Sequence, residues 1–145
     1  VKHIEAVELY KEFTKFIEKT DKITIVNCDV KDYNSDKKFD LVNMFGITCY
    51  FNDEEVKSLY KKYQSYLRPN GKIIVKSQFG VEEDVIVSGF SKELQTDYFC
   101  CYRHLPKEVE ILKSVGYKDI KTFDIYPPEC NRWSNTHFYA IVASL

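Results

Sequence analysis

The sequence predicts an α/β domain whose mostly parallel sheet is covered by helices on both faces and closes on an antiparallel strand pair. Three observations carry that expectation. Short β-branched runs alternate with amphipathic runs whose apolar residues recur every three or four positions. The connections between these runs are short, without internal repeat or low-complexity linker. At 145 residues, 44% hydrophobic and 15% aromatic, the chain is one domain's worth of material. Such a domain buries roughly two-thirds of the surface its unfolded chain exposes, so neither disulfides nor a structural metal is needed to hold a core.

The elements follow in order. From Val7 to Lys19, Leu9, Tyr10, Phe13, Phe16 and Ile17 fall at helical spacing between charged residues, which predicts a helix with one buried face. Ile23–Cys28 and Phe39–Phe45 read as strands, ending at Asp29 and Gly46. Asn52 and Glu55 have the spacing of a capping box ahead of Val56, Leu59, Tyr60, Tyr63 and Leu67. Pro69-Asn70-Gly71 stops that helix and turns the chain into a strand at Lys72–Ser77. Pro106 suits the first turn of a helix carrying Val109, Leu112 and Val115, and Gly116 supplies its stop. Two strands, about 118–126 and 137–144, close the chain.

A formal charge of −1 argues against broad electrostatic capture of nucleic acid or anionic lipid. No apolar run approaches the roughly 18 residues of a membrane-spanning helix. The five cysteines, Cys28, Cys49, Cys100, Cys101 and Cys130, form no C-x-x-C pair, so they are expected to be reduced thiols of a cytoplasmic protein rather than a zinc site. In a parallel sheet, ligands bind beyond the carboxyl ends of the strands. Function is therefore sought at Glu5, Asp29, Met44–Gly46 and Ser77–Gly80.

Read in order, those strand ends resemble the class I S-adenosylmethionine-dependent methyltransferases of the small-molecule branch, a Rossmann-like fold. His3-Ile4-Glu5 resembles the end of the family's second strand, which implies that Glu5 accepts hydrogen bonds from the ribose hydroxyls with Ala6 near the adenine. Cys28-Asp29-Val30 resembles the third strand's end, implying adenine contacts from Asp29 and the Val30 backbone. Phe39–Gly46 is similar to the fourth-strand motif, in which an Asp at a buried edge, here Asp40, precedes a turn facing the methionine part of the cofactor; Met44, Phe45 and Gly46 take that place. Leu67-Arg68-Pro69-Asn70-Gly71-Lys72 is the closest match, with Asn70 where the family has a glycine. Asn tolerates φ > 0 better than most residues, so the turn survives.

The chain departs from the family in a further respect. The family's first strand ends in a Gly-rich turn, and the five glycines here include no G-x-G. The first strand is expected to be missing from this sequence, its place being between the strands at about 1–5 and 39–45. An upstream segment is the expected source. A second parse makes Val1–Thr20 one helix and Ile23–Cys28 a first strand, giving a smaller α/β domain without a cofactor site.

The resemblance implies transfer of a methyl group from S-adenosylmethionine to a small polar metabolite such as a sugar or nucleotide sugar, with no nucleic acid or membrane partner. His104 is the first candidate for a base, against a helix-capping role. Tyr50 stands where relatives present a His or aromatic residue to the reacting methyl. Phe90, Tyr98, Phe99 and Tyr102 lie in the variable segment that covers the acceptor, and Arg132 and Trp133 can add a cation and a stacking face. The competing reading is a non-catalytic methyltransferase-like domain.

Overall fold

The computed structural model describes every residue except Lys19, Leu94 and Arg132. The chain divides into two units, Val1–Asp36 and Lys37–Leu145.

In the first unit, β1 (Ile4–Glu8) and β2 (Ile23–Asn27) pair in parallel, from Ile4 with Ile23 to Glu8 with Asn27. The helix predicted from Val7 is not formed. Its first residues belong to β1, and only Phe13–Phe16 coil, as a 3-10 turn. The physical reason is the lack of a surface to cover. Leu9, Tyr10, Phe13 and Phe16 are all exposed, and a helix of this length owes its stability to packing of its apolar stripe. The parse of Val1–Thr20 as a single helix falls with it.

The second unit holds a four-stranded sheet in the order β3 (Phe39–Phe45), β4 (Leu67–Gly80), β8 (Thr136–Ser144), β7 (Lys118–Asp124). β3 and β4 run parallel, whereas β8 is antiparallel to both β4 and β7. The sheet is thus mixed rather than mostly parallel. The helices of the described residues are two, α1 (Asp53–Gln64) and α2 (Leu105–Ser114), and they pack on one another. The closing antiparallel pair is present, as predicted. A hairpin, β5 (Val85–Ser91) with β6 (Thr96–Tyr102), occupies the segment expected to cover the acceptor.

Local chemistry explains most boundaries. Asn52 Oδ1 accepts from the Glu55 N–H, and Glu55 Oε2 accepts from the Asn52 N–H, both at 3.0 Å, so the capping box is complete. Asn52→Ala is expected to lower stability by about 1 kcal/mol; a shift of the urea midpoint with unchanged slope checks it. Asn70 adopts φ 64° at an irregularity inside β4, where the pairing with β3 slips between Phe39 and Leu41. Helix α1 ends at Gln64, so Leu67 serves the strand rather than the helix. Asp40 is exposed, not at a buried edge, and both its oxygens accept from Arg68 Nη1 at 2.9 Å.

Ile73 and Val75 of β4 and Ile141 and Ala143 of β8 alternate into the core, joined by Val56, Tyr60 and Leu112 from the helices. A buried polar cluster ties the helices to β6. Arg103 donates to Glu108 at 2.8 Å, to Asp53 at 2.7 Å and to the Phe51 carbonyl at 2.8 Å. Tyr60 donates to the other Glu108 oxygen. At the cluster's edge, Lys107 bridges Asp53 and Asp84 at 2.7 and 2.6 Å.

Burial alone would raise the carboxyl pKa values of Asp53 and Asp84. Lys107 and Arg103 outweigh it for Asp53, and the His104 N–H and Lys107 outweigh it for Asp84, so both are lowered. Their contribution to stability is therefore present above the ordinary Asp range near pH 4 and is lost as pH falls through the lower folded values. Asp84→Asn is expected to flatten the acid limb of the stability profile, measured as Tm from about pH 5 down to about pH 2. An unchanged acid limb would show that Asp84 contributes nothing to it.

Among the described residues, no helix is long and apolar enough to cross a membrane, and no group of three or more His, Cys, Asp or Glu residues could hold a metal.

Candidate functional site

The second unit carries a cavity of about 330 Å³ at the carboxyl ends of β3 and β4. Parallel pairing brings both ends to one side, so Phe45 and Gly46 come to lie near Lys76, Ser77 and Gln78. β8 runs the other way and begins there, placing Phe138 opposite Gln78. The 3-10 turn Thr48–Tyr50 contributes Cys49 and Tyr50. On β6, Tyr98, Cys100 and Tyr102 share the face that a strand's two-residue period gives them, and all three line the cavity. Cys101, between them, is buried and lines no part of it.

The wall is aromatic with polar points. Tyr50 and Tyr98 meet edge to face, with ring centroids 6.3 Å apart and planes at 85°. Gln78 Nε2 is held by Thr136 Oγ1 at 2.6 Å, and the Lys76 ammonium lies 5.6 Å from the Tyr126 ring centroid. The Cys49 thiol lies 3.8 Å from the Gly46 carbonyl.

Cys49, Tyr98 and Tyr102 line the same cavity as Cys100 and shape its acidity. The Cys49 contact is the largest influence on Cys100; with the two phenols it outweighs burial and pushes the thiol down to about 7. Cys49 is pushed well up, first by its contact with Cys100 and then by burial. Burial, reinforced by the charge at Cys100, raises Tyr98 and Tyr102, which keeps both phenols protonated as donors.

Of the sequence-predicted residues, Phe45, Gly46 and Tyr50 come together at this cavity. Met44 does not: it points to the other face of β3 and is buried in the core, so its side chain cannot meet a ligand. Nor does His104. It is the residue before α2, its backbone N–H donates to Asp84 Oδ1 at 2.7 Å, and it lines no part of the cavity. His137 is buried, its Nε2 3.1 Å from Asp124 but not aligned for a hydrogen bond. Trp133 is exposed, and Arg132 lies outside the described residues.

In the first unit, Glu5 is the second residue of β1 and not its end. Its carboxylate accepts from the Tyr33 hydroxyl, with His3 Nε2 at 3.8 Å. Ala6 sits mid-strand opposite Ile25. The acid at the strand's carboxyl end is Glu8, which accepts from the Tyr10 N–H at 2.9 Å. Sequence reasoning missed it by starting a helix at Val7; the signal was a five-residue run, Ile4-Glu5-Ala6-Val7-Glu8, closing on an acid. Asp29 follows β2 by two residues and folds the next turn about itself, accepting from the Lys31 N–H at 2.7 Å. Val30 beside it is half-buried.

No protein-family model matches the chain, and a search of curated proteins finds no significant match. Solved structures do match. A S-adenosylmethionine-dependent methyltransferase from Mesorhizobium loti superposes with a TM-score of 0.74 at 13% identity, over 99% of this chain and 81% of that one. One from Clostridium acetobutylicum gives 0.67 at 14% identity, over 99% and 75%. The 1,6-didemethyltoxoflavin-N1-methyltransferase of Burkholderia thailandensis, solved with 1,6-didemethyltoxoflavin and S-adenosylhomocysteine, gives 0.74 at 14% identity, over 97% and 60%. Identities this low speak for the fold alone. The chain has the fold of the class I S-adenosylmethionine-dependent methyltransferases.

Proposed function

We propose that this protein binds S-adenosylmethionine and transfers its methyl group to a small polar molecule with a flat or sugar-like face, in the cytoplasm. The observation that carries the reading is the aromatic cavity at the carboxyl ends of β3 and β4, in a chain with the methyltransferase fold. Five free cysteines agree with a reducing compartment.

The residues present fit the cofactor's chemistry. In the first unit, the Glu8 carboxylate at the end of β1 suits the two ribose hydroxyls, while Asp29 and the Val30 backbone suit an adenine edge. In the second, Gly46 has φ 64° and nothing within 4 Å of where a Cβ would stand, so the Phe45–Gly46 turn leaves open space at that unit's own cavity. When bound, S-adenosylmethionine supplies a sulfonium-activated methyl group for in-line displacement.

Such a displacement asks the protein chiefly for alignment and exclusion of water. Tyr50 and Tyr98 supply ring faces to stack an acceptor, and the protonated Tyr98 and Tyr102 hydroxyls can hold its polar atoms in one orientation. His104, away from the cavity, is not assigned the base. The competing reading, a methyltransferase-like domain without cofactor affinity, is favoured by the absence of any G-x-G among the five glycines.

Calorimetric titration with S-adenosylhomocysteine separates the two, since saturable binding supports the enzyme and its absence supports the binding module. Glu8→Ala should weaken that binding by about 1–3 kcal/mol, and Glu5→Ala, whose carboxylate already serves Tyr33, by less. Equal affinity of wild type and Glu8→Ala would remove Glu8 from the site.

A further inference from the structure

Among the described residues that line the cavity at the carboxyl ends of β3 and β4, the one cation is Lys76. The phenols of Tyr50, Tyr98 and Tyr102 stand round the same space, and no Asp or Glu joins them. β4 is an interior strand of its sheet, and Lys76 is placed between Phe45 of β3 and Ala140 of β8, whose side chains offer no hydrogen-bond acceptor. The residue is half-buried.

The Lys76 ammonium meets one side chain, that of Tyr126. It lies 3.5 Å from the hydroxyl and 5.6 Å from the ring centroid, and the Tyr126 ring is itself set edge to face against Phe138, with centroids 5.4 Å apart. Among the described residues no carboxylate forms an ion pair with Lys76. Asp40 is taken by Arg68, and Asp124 lies against His137. A half-buried ammonium with a phenol as its polar neighbour keeps an unmet demand for negative charge. Water meets that demand while the cavity is open. A ligand that expels the water must bring the charge itself or leave the ammonium buried against an apolar body. The protonated Tyr98 and Tyr102 hydroxyls add donors, which also suit an oxyanion.

We propose that the molecule held in this cavity carries a carboxylate or phosphate that pairs with the Lys76 ammonium while its flat body stacks on Tyr50 and Tyr98. Lys76 is then the residue that tells an acid from its neutral analogue. That this molecule is the methyl acceptor rests on the function proposed above; recognition of its anion needs only the cavity. S-adenosylmethionine carries a carboxylate of its own, so the experiment has to separate the two sources.

The full chain is titrated calorimetrically with benzoate, phenyl phosphate and the neutral benzamide, and separately with S-adenosylhomocysteine. At least one of the two acids is expected to bind about tenfold or more tightly than the amide, and Lys76→Met should reduce that preference to less than about twofold. Lys76→Arg should keep most of it, which separates charge from packing. Lys72→Met, at an exposed position of the same strand, should leave it unchanged. Acids that bind no more tightly than the amide to the wild-type chain overturn the proposal, as does a preference that survives Lys76→Met. Loss of S-adenosylhomocysteine affinity in Lys76→Met without any preference for acids assigns the lysine to the cofactor's carboxylate and overturns it too. Saturable S-adenosylhomocysteine binding with acid and amide equal sinks the anion alone, whereas a preference for acids without S-adenosylhomocysteine binding sinks methyl transfer and leaves anion recognition standing.

Discussion

Arg103→Ala is expected to lower the unfolding free energy by about 3–5 kcal/mol, because it leaves a buried carboxylate without its cation. The Arg103 and Glu108 side chains are 1% and 0% exposed, and they pair at 2.8 Å. Burial works against the guanidinium's charge, but Glu108 and Asp53 more than offset it and hold the pKa above its ordinary value. Removing the arginine strips Glu108 of everything in the cluster but the Tyr60 hydroxyl, and it opens a void among α1, α2 and the end of β6.

Two further measurements separate this account from simple loss of volume. The deficit of Arg103→Ala should shrink as pH is lowered toward the carboxylate range, since an unpaired buried carboxyl can take up a proton. The double change Arg103→Met with Glu108→Leu should cost less than Arg103→Ala, because apolar replacement of both partners leaves no orphaned charge. Urea unfolding at two pH values tests both. A loss under about 1 kcal/mol for Arg103→Ala at neutral pH would mean the pair does not hold the helices.

Gly80→Ala is the second large effect. A Cβ built on Gly80 would stand 1.8 Å from the Glu83 carbonyl oxygen and 3.0 Å from that of Tyr102. Both are backbone atoms, so no side chain can swing aside. Gly80 ends β4 and donates its N–H to the Arg103 carbonyl at 3.0 Å. Making room therefore displaces the turn that delivers Asp84 to the His104 N–H and to Lys107. A cost of about 3 kcal/mol or more is expected, read from the urea midpoint. Gly46→Ala gives the contrast, with open space but φ 64°, and should cost only about 1–2 kcal/mol. Equal costs at the two glycines would refute the close-approach argument.

The parts of this fold legible in the sequence are those set by neighbours a few residues apart. Asn52 and Glu55 cap each other across one turn, Asn70 accepts a left-handed backbone through its own side-chain tolerance, Pro106 opens α2 and Gly116 ends it, and Phe39–Phe45 is a strand to the residue. The strand ends were legible as well, because a parallel strand pair leaves its carboxyl ends on one side. Phe45, Gly46 and Tyr50 line the cavity there.

What the sequence alone did not determine turned on partners far along the chain. Ile4–Glu8 carries both a helical and a strand pattern, and the ladder with Ile23–Asn27 decided for the strand, moving the terminal acid from Glu5 to Glu8. Adjacent Met44 and Phe45 read alike as apolar, but the pleat sends one into the core and the other to the cavity. His104 looked placed for chemistry, yet the start of α2 against Asp84 set it aside. Nothing within either segment announces that Cys49 and Cys100 will line one cavity, because that wall exists only once β6 packs beside the turn after β3. Local backbone preference fixes elements, whereas burial and long-range pairing fix which side chains face one another, and the chemistry of this protein depends on the second.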